Sequence, residues 1–288
     1  MIRTYGGHSM IAPLQRVLVR RPDAAFGNAD PQQWHYTAQP VLERAQAEHD
    51  ALVSTLRRSG AEVIYHEEAQ PERADAIFVF DPALITEQGA VMMRMGKQLR
   101  RGEEAAMARR FESMGIPILA RLSGNALAEC GDMFWLDQQH LAVGLGFRTN
   151  AEGVRQLRAA LEPIGVTVLT YDLPYYTGPE ACLHLLSLIS LVDERMAVVH
   201  PPLMPVALWQ ELERRNYQLI VIPEEEFVTQ ATNVLALAPG QCLMLEGNPK
   251  TKRLLEEAGC EVLTYRGQEL SFKAEGGPTC LTRPILRG

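Results

Sequence analysis

The chain has 288 residues, 47% apolar and 22% charged, with a formal net charge of −7. That is the composition of a soluble globular protein with a sizeable core, and the acidic balance argues against nucleic acid or an anionic membrane surface as partner. Residues 1–13 lack the basic start and apolar run of a signal peptide, no apolar stretch reaches the ~18 residues of a membrane span, and the five cysteines (130, 182, 242, 260, 280) form no CxxC or framework spacing, which predicts reduced thiols in a cytoplasmic protein and no zinc site.

Residues 16–22 read as a strand. Residues 23–36 follow as a polar segment with Gly27, Pro31, Trp34 and Tyr36, too long and aromatic for a simple turn and suited to a flap over a site. From Val41 the apolar positions Leu42, Ala45, Leu52, Val53 and Leu56 keep helical spacing, Gly60 closes the helix as a left-handed cap, and 61–65 is a strand.

The same pattern then repeats. Residues 77–80 and 90–93 are strand-like, 103–114 is a helix capped by Gly115, and 116–119 is a strand. Strands at 133–136 and 141–144 precede a helix with Val154, Leu157, Leu161 and Ile164 on one face, the cap Gly165, and a strand at 166–170. A fourth copy runs 185–192, 197–199, helix 205–215, cap Asn216, strand 217–221; a fifth runs 234–237, 242–245, helix 250–258, cap Gly259, strand 261–265.

The helix-ending residues 60, 115, 165, 216 and 259 are spaced by 55, 50, 51 and 43, and Val-Leu-Thr-Tyr occurs at both 168–171 and 262–265. Five ββαβ units read as a radial array closed on itself, spanning 1–288 as a single domain. The competing reading is a doubly wound α/β sheet, whose helix–strand alternation is locally similar. The strand pair before each helix favours the radial form.

In a closed ring, residues at one phase of each unit converge on the axis. Around the first strand of each unit lie Asp75 and Asp81, Glu129, His184 and Cys280. Taken singly, each has an ordinary explanation: a turn-starting acid before Pro82, a solvated loop acid, a core histidine, a small buried hydrophobe. Recurrence at corresponding positions argues otherwise. Cys280 follows the loop Glu275-Gly276-Gly277-Pro278-Thr279, which cannot be helical and holds one sulfur in place.

Thiol, imidazole and two or three carboxylates together describe attack on a cationic, planar carbon. The acids grip a guanidinium in bidentate fashion and turn its central carbon to the sulfur. A bound cation lowers the thiol's pKa, and the imidazole protonates the leaving amine before activating water. This chemistry calls for no metal and no organic cofactor.

The order Phe78-Val79-x-Asp81, Arg94 to Glu103 with Arg100-Arg101-Gly102, Glu129-x-Gly131-Asp132, Arg148-Thr149-Asn150, Leu183-His184-Leu185-x-Ser187 and Thr279-Cys280 resembles the guanidino-group modifying enzymes, most closely the dimethylarginine dimethylaminohydrolases. The resemblance covers nearly the whole chain and implies a pentein fold, a five-bladed α/β propeller. It implies Cys280 as nucleophile, His184 as general acid and base, and Asp81 and Glu129 as the guanidinium-holding acids. Arg100 and Arg148 match the arginines that bind the amino-acid carboxylate, and Asp75 the acid at the substrate's polar end; Ser187, Phe80 and Glu275 join them as expected substrate-binding residues. Without the resemblance, surface salt bridges would account for both arginines.

Three departures bear on the substrate. Phe80 stands where an acid is expected, Cys130 replaces the first glycine of a Gly-Gly pair, and the closing Gly-Gly-Pro-x-Cys resembles arginine deiminases. An enzyme taking arginine on to ornithine would be expected to carry asparagine at position 81. The expected reaction is hydrolysis of Nω,Nω-dimethylarginine or its monomethyl form to citrulline and a methylamine. Arginine deimination, amidino transfer and a non-catalytic binding protein of the same fold are the rivals. A guanidino small molecule is the expected partner, and oligomeric state is left open, a homodimer included.

Overall fold

A computed structural model describes residues 3–288. Five three-stranded sheets are arranged as blades. The first to be completed within a continuous stretch is β3 (Ala83–Thr86), β4 (Gly89–Met92), helix α4 (Glu103–Ser113) and β5 (Ile118–Arg121), numbering the strands and helices along the chain. β3 pairs antiparallel with β4, and β4 pairs parallel with β5 across the helix. A short connection permits only an antiparallel neighbour, and a helical crossover returns the chain to a parallel one.

Three further blades repeat this order: β6 (Met133–Trp135), β7 (His140–Leu145), α5 (Ala151–Leu161) and β8 (Thr167–Asp172); β9 (Ile189–Asp193), β10 (Met196–Val199), α6 (Val206–Arg214) and β11 (Gln218–Val221); β12 (Leu235–Ala238), β13 (Gln241–Leu245), α7 (Pro249–Glu257) and β14 (Glu261–Tyr265). Each predicted cap adopts positive φ: Gly60 at 94°, Gly115 at 72°, Gly165 at 80°, Asn216 at 57° and Gly259 at 97°.

The remaining blade joins the two ends of the chain. β1 (Leu14–Val19) pairs parallel with β2 (Glu62–Tyr65) across α3 (Leu42–Arg58), and antiparallel with β15 (Arg283–Arg287), matching Leu14 to Arg287 and Leu18 to Arg283. β15 is absent from the sequence reading because Arg283, Pro284 and Arg287 look like a solvated tail, yet both arginines are buried. The ring is closed by its last strand.

Residues 77–80 are a correction. They form a short 3₁₀ turn (Ala74–Ile77) and an irregular run, and the blade's first strand starts after Pro82. The run is buried and apolar, but its backbone bonds leave the sheet: Phe80 N–H donates to Cys280 O and Phe78 O accepts from Arg100. Residues 23–36 contain two short helices, α1 (Ala24–Gly27) and α2 (Pro31–Trp34), with Phe26, Trp34 and Tyr36 packed into the core. They form a wall of the site rather than a loose flap. Among the described residues no helix is long and apolar enough to cross a membrane.

Candidate active site

Strands β3, β6, β9, β12 and β15 line the ring axis. The loop before each carries one polar side chain to the same end of that axis: Asp81, Glu129, His184, Asn233 and Cys280. A cavity of about 390 Å³ opens there, lined by Cys280, His184, Asp81, Asp75, Arg100, Arg148, Ser187, Phe80 and Glu275. Glu129 sits behind His184 and is fully buried.

His184 Nε2 donates to Glu129 Oε2 at 2.7 Å. A carboxylate only accepts, so this nitrogen carries the proton. Glu129 Oε1 accepts from the Gly96 and Lys97 N–H groups at 2.9 and 3.0 Å, and Arg148 Nη1 lies 3.1 Å from Oε2. The imidazole stands against Gly131, where a Cβ would fall 2.3 Å from Nδ1, so no other residue fits there. Ser187 Oγ accepts from His184 N–H at 3.1 Å and Asp132 Oδ1 from Leu185 N–H at 3.0 Å, fixing the loop that presents the ring.

Burial pushes His184 toward the neutral form, but Cys182, Glu129 and Asp132 outweigh it and hold its pKa well above the ordinary value. Burial also opposes ionisation of Glu129, and Arg148 with His184 more than offsets it, so that carboxyl titrates well below its usual range.

Asp81 Oδ1 accepts from Gly131 N–H at 2.9 Å, and Oδ2 from Arg100 Nη1 at 2.6 Å. The Arg100 guanidinium also grips Glu103 through Nε and Nη2 and donates to Phe78 O at 3.0 Å. Nearly all of its donors are therefore spent inside the protein. Arg148 reaches only Glu129 among the described residues, keeping part of its fork toward the cavity. Asp75 is held by Tyr36 Oη at 2.8 Å and Lys97 Nζ at 2.6 Å, the lysine also bonding Trp34 O. At the cavity mouth His35 Nε2 lies 3.1 Å from Glu180 Oε2, joining α2 to the loop before His184.

Cys280 Sγ accepts a hydrogen bond from Asn233 Nδ2 at 3.3 Å, while Asn233 Oδ1 accepts from Thr279 N–H at 3.1 Å. The loop glycines serve close approach rather than turning. A Cβ on Gly277 would strike Asn233 at 2.4 Å and one on Gly276 the Phe78 ring at 2.1 Å; the left-handed residue is Glu275, with φ of 58°. Burial and then Asp81 push the Cys280 thiol up to about 11, against Asn233 and His184, so at rest it is protonated.

A second thiol faces the cavity. Cys182 Sγ lies 3.7 Å from His184 Nδ1. Its side chain is exposed, and His184 and Arg148 beside it hold its pKa below the ordinary value.

Asp81, Glu129 and His184 each offer an atom within 4.8 Å of the others, but Glu129 lies behind the imidazole, so Asp81 is the carboxylate that meets a cation in the cavity beside the sulfur. Asn233, Lys97 and Cys182 were not singled out from sequence. Only Asn233 carries a legible signal, as the fifth blade's residue at the phase of Asp81, Glu129, His184 and Cys280.

The family description "N,N dimethylarginine dimethylhydrolase, eukaryotic" matches residues 16–287. An N(G),N(G)-dimethylarginine dimethylaminohydrolase of Streptomyces coelicolor is 29% identical over 94% of this chain and 96% of its own. An arginine deiminase of Listeria innocua is 23% identical over 97% of each. The structure of a dimethylarginine dimethylaminohydrolase from Pseudomonas aeruginosa complexed with citrulline superposes with a TM-score of 0.79 at 23% identity, covering 95% of this chain and 100% of that one. The chain belongs to the dimethylarginine dimethylaminohydrolase family of guanidino-group modifying enzymes.

Proposed function

We propose that the protein hydrolyses Nω-methylated arginine to citrulline and a methylamine through a covalent adduct on Cys280. The observation that carries this reading is the convergence of the Cys280 thiol, the Glu129-bound imidazolium of His184 and the Asp81 carboxylate on one cavity. Asp81, on the cavity wall, accepts from the substrate guanidinium, while Glu129, buried behind the imidazole, acts through His184 rather than holding the guanidinium itself. The guanidinium charge lowers the pKa of Cys280, so the thiolate forms once substrate is bound.

The sulfur then attacks the central guanidino carbon. The C–N bond to the methylated nitrogen breaks, and His184 gives that nitrogen its proton as the amine departs. An S-alkylthiouronium remains on Cys280. Neutral His184 takes a proton from water, the resulting hydroxide adds to the same carbon, and the C–S bond breaks while the added hydroxyl gives up its proton to solvent, releasing citrulline and the thiolate. Phe78, Phe80 and Leu186 give the N-methyl carbons apolar contact along the cavity wall. Arg148, with donors to spare, takes the substrate carboxylate. Arg100 acts by holding Asp81 in place, and Asp75 with Lys97 meets the polar end of the amino acid.

Arginine deimination is the second reading, favoured by the Gly-Gly-Pro-x-Cys loop and the deiminase relative. Incubating the enzyme with dimethylarginine, monomethylarginine and arginine, and measuring citrulline alongside the released amine, separates the two. Dimethylamine in equal amount to citrulline supports the proposal. Citrulline from arginine alone, with ammonia, replaces it with the second reading.

A further inference from the structure

A second, smaller cavity of about 40 Å³ lies on the ring axis and is lined by the inner strands of all five blades. Phe80, Leu186 and Thr279 line both cavities and form the partition between them. Two arginines of β15 face the smaller one. Arg283 is 4% exposed and Arg287 3%, and among the described residues neither has a carboxylate oxygen within 4.0 Å.

Their partners are neutral. Arg283 donates through Nη1 to Ala83 O and stacks 3.8 Å from the Phe80 ring centroid, and its Nε is buried without an acceptor. Arg287 donates to Ala12 O at 2.6 Å and Ala236 O at 2.8 Å. Carbonyl oxygens satisfy N–H groups but do not cancel a net charge. Burying an unpaired cation costs several kcal/mol, which is why Arg100 and Arg148 in the neighbouring cavity each have an acid. Burial, and after it the charge of Arg283, push Arg287 down to about 9, and burial lowers Arg283 as well.

We infer that this cavity binds a small monatomic anion, chloride under ordinary conditions, between Arg283 and Arg287. A water needs roughly 10–15 Å³ measured in this way, so about 40 Å³ has room for a halide. The anion's charge offsets the two guanidinium groups that line the cavity. Guanidinium is weakly hydrated and so pairs with a halide in a dry site at lower desolvation cost than an ammonium would. The site goes beyond the catalytic reading and does not depend on it, because neither arginine is assigned a part in the reaction.

The test uses the whole protein and no turnover measurement. Crystals grown with bromide in place of chloride are examined for anomalous scattering, and Tm is followed as chloride replaces gluconate at constant ionic strength. The expected results are one bromide peak between the two guanidinium groups and a saturable Tm rise of about 5 °C at hundredfold saturation. Arg287→Met abolishes the chloride dependence. Absence of the bromide peak at the axis overturns the assignment, whatever Tm does, and leaves a water-filled cavity.

Discussion

Asn233 Nδ2 donates to Cys280 Sγ at 3.3 Å while Asn233 Oδ1 accepts from the N–H of Thr279, the residue just before the cysteine. One side chain from the fifth blade thus both orients the reacting sulfur and offers it a donor that strengthens as the thiolate forms. Hydrogen bonds to charged groups are worth about 1.5–3 kcal/mol. Asn233→Ala is therefore expected to lower kcat by roughly 10- to 100-fold with little change in KM, and to raise the pH at which Cys280 is alkylated. An unchanged alkylation profile would remove Asn233 from the reaction.

Arg100 and Arg148 should separate cleanly when each is replaced by alanine. Arg100→Ala strips a buried Asp81 and Glu103 of their shared counter-ion, a change that costs about 3–5 kcal/mol. The expectation is a Tm lowered by roughly 10 °C together with a fall in kcat. Arg148→Ala should raise KM by roughly tenfold or more and lower Tm less. A purely KM effect from Arg100→Ala, with unchanged Tm, would restore that residue to direct recognition of the substrate carboxylate.

The pH profile follows from two shifts of the same sign. The free enzyme needs Cys280 as thiolate, yet its pKa stands near 11, and His184 as imidazolium, whose pKa stands well above 6.5. Below the thiol pKa each pH unit costs about tenfold in thiolate, so kcat/KM should climb steadily through neutrality and turn over only when His184 loses its proton. The kcat profile should rise at lower pH, since bound guanidinium stabilises the thiolate. A kcat/KM that levels off near pH 6.5 would mean that His184 titrates at its ordinary value, against the raised pKa that its acidic neighbours impose.

Much of this architecture was legible from residue order, for physical reasons. A residue that ends a helix in the left-handed conformation is usually glycine and sometimes asparagine, and Gly60, Gly115, Gly165, Asn216 and Gly259 mark the repeat at every unit. The imidazole, thiol and acids were legible because ring closure brings one phase of each blade to the axis. Residues 77–80 misled because burial was taken for strand pairing, while the run's backbone bonds serve Arg100 and the Cys280 loop. β15 was hidden because two buried arginines flank a proline, and charge normally reads as surface. Asn233 was passed over because it carries neither charge nor thiol, and only its place before β12 marks it. The saturation of Arg100 by Asp81 and Glu103 depends on side-chain geometry alone, which no spacing encodes.

The most direct measurement is rapid acid quenching during turnover of dimethylarginine, followed by intact mass and peptide mapping. The account predicts a transient adduct of the amidino-carrying substrate on Cys280, absent in Cys280→Ser and leaving Cys182 unmodified. Steady turnover with an unmodified Cys280 at every quench time, or an adduct on Cys182, would contradict it.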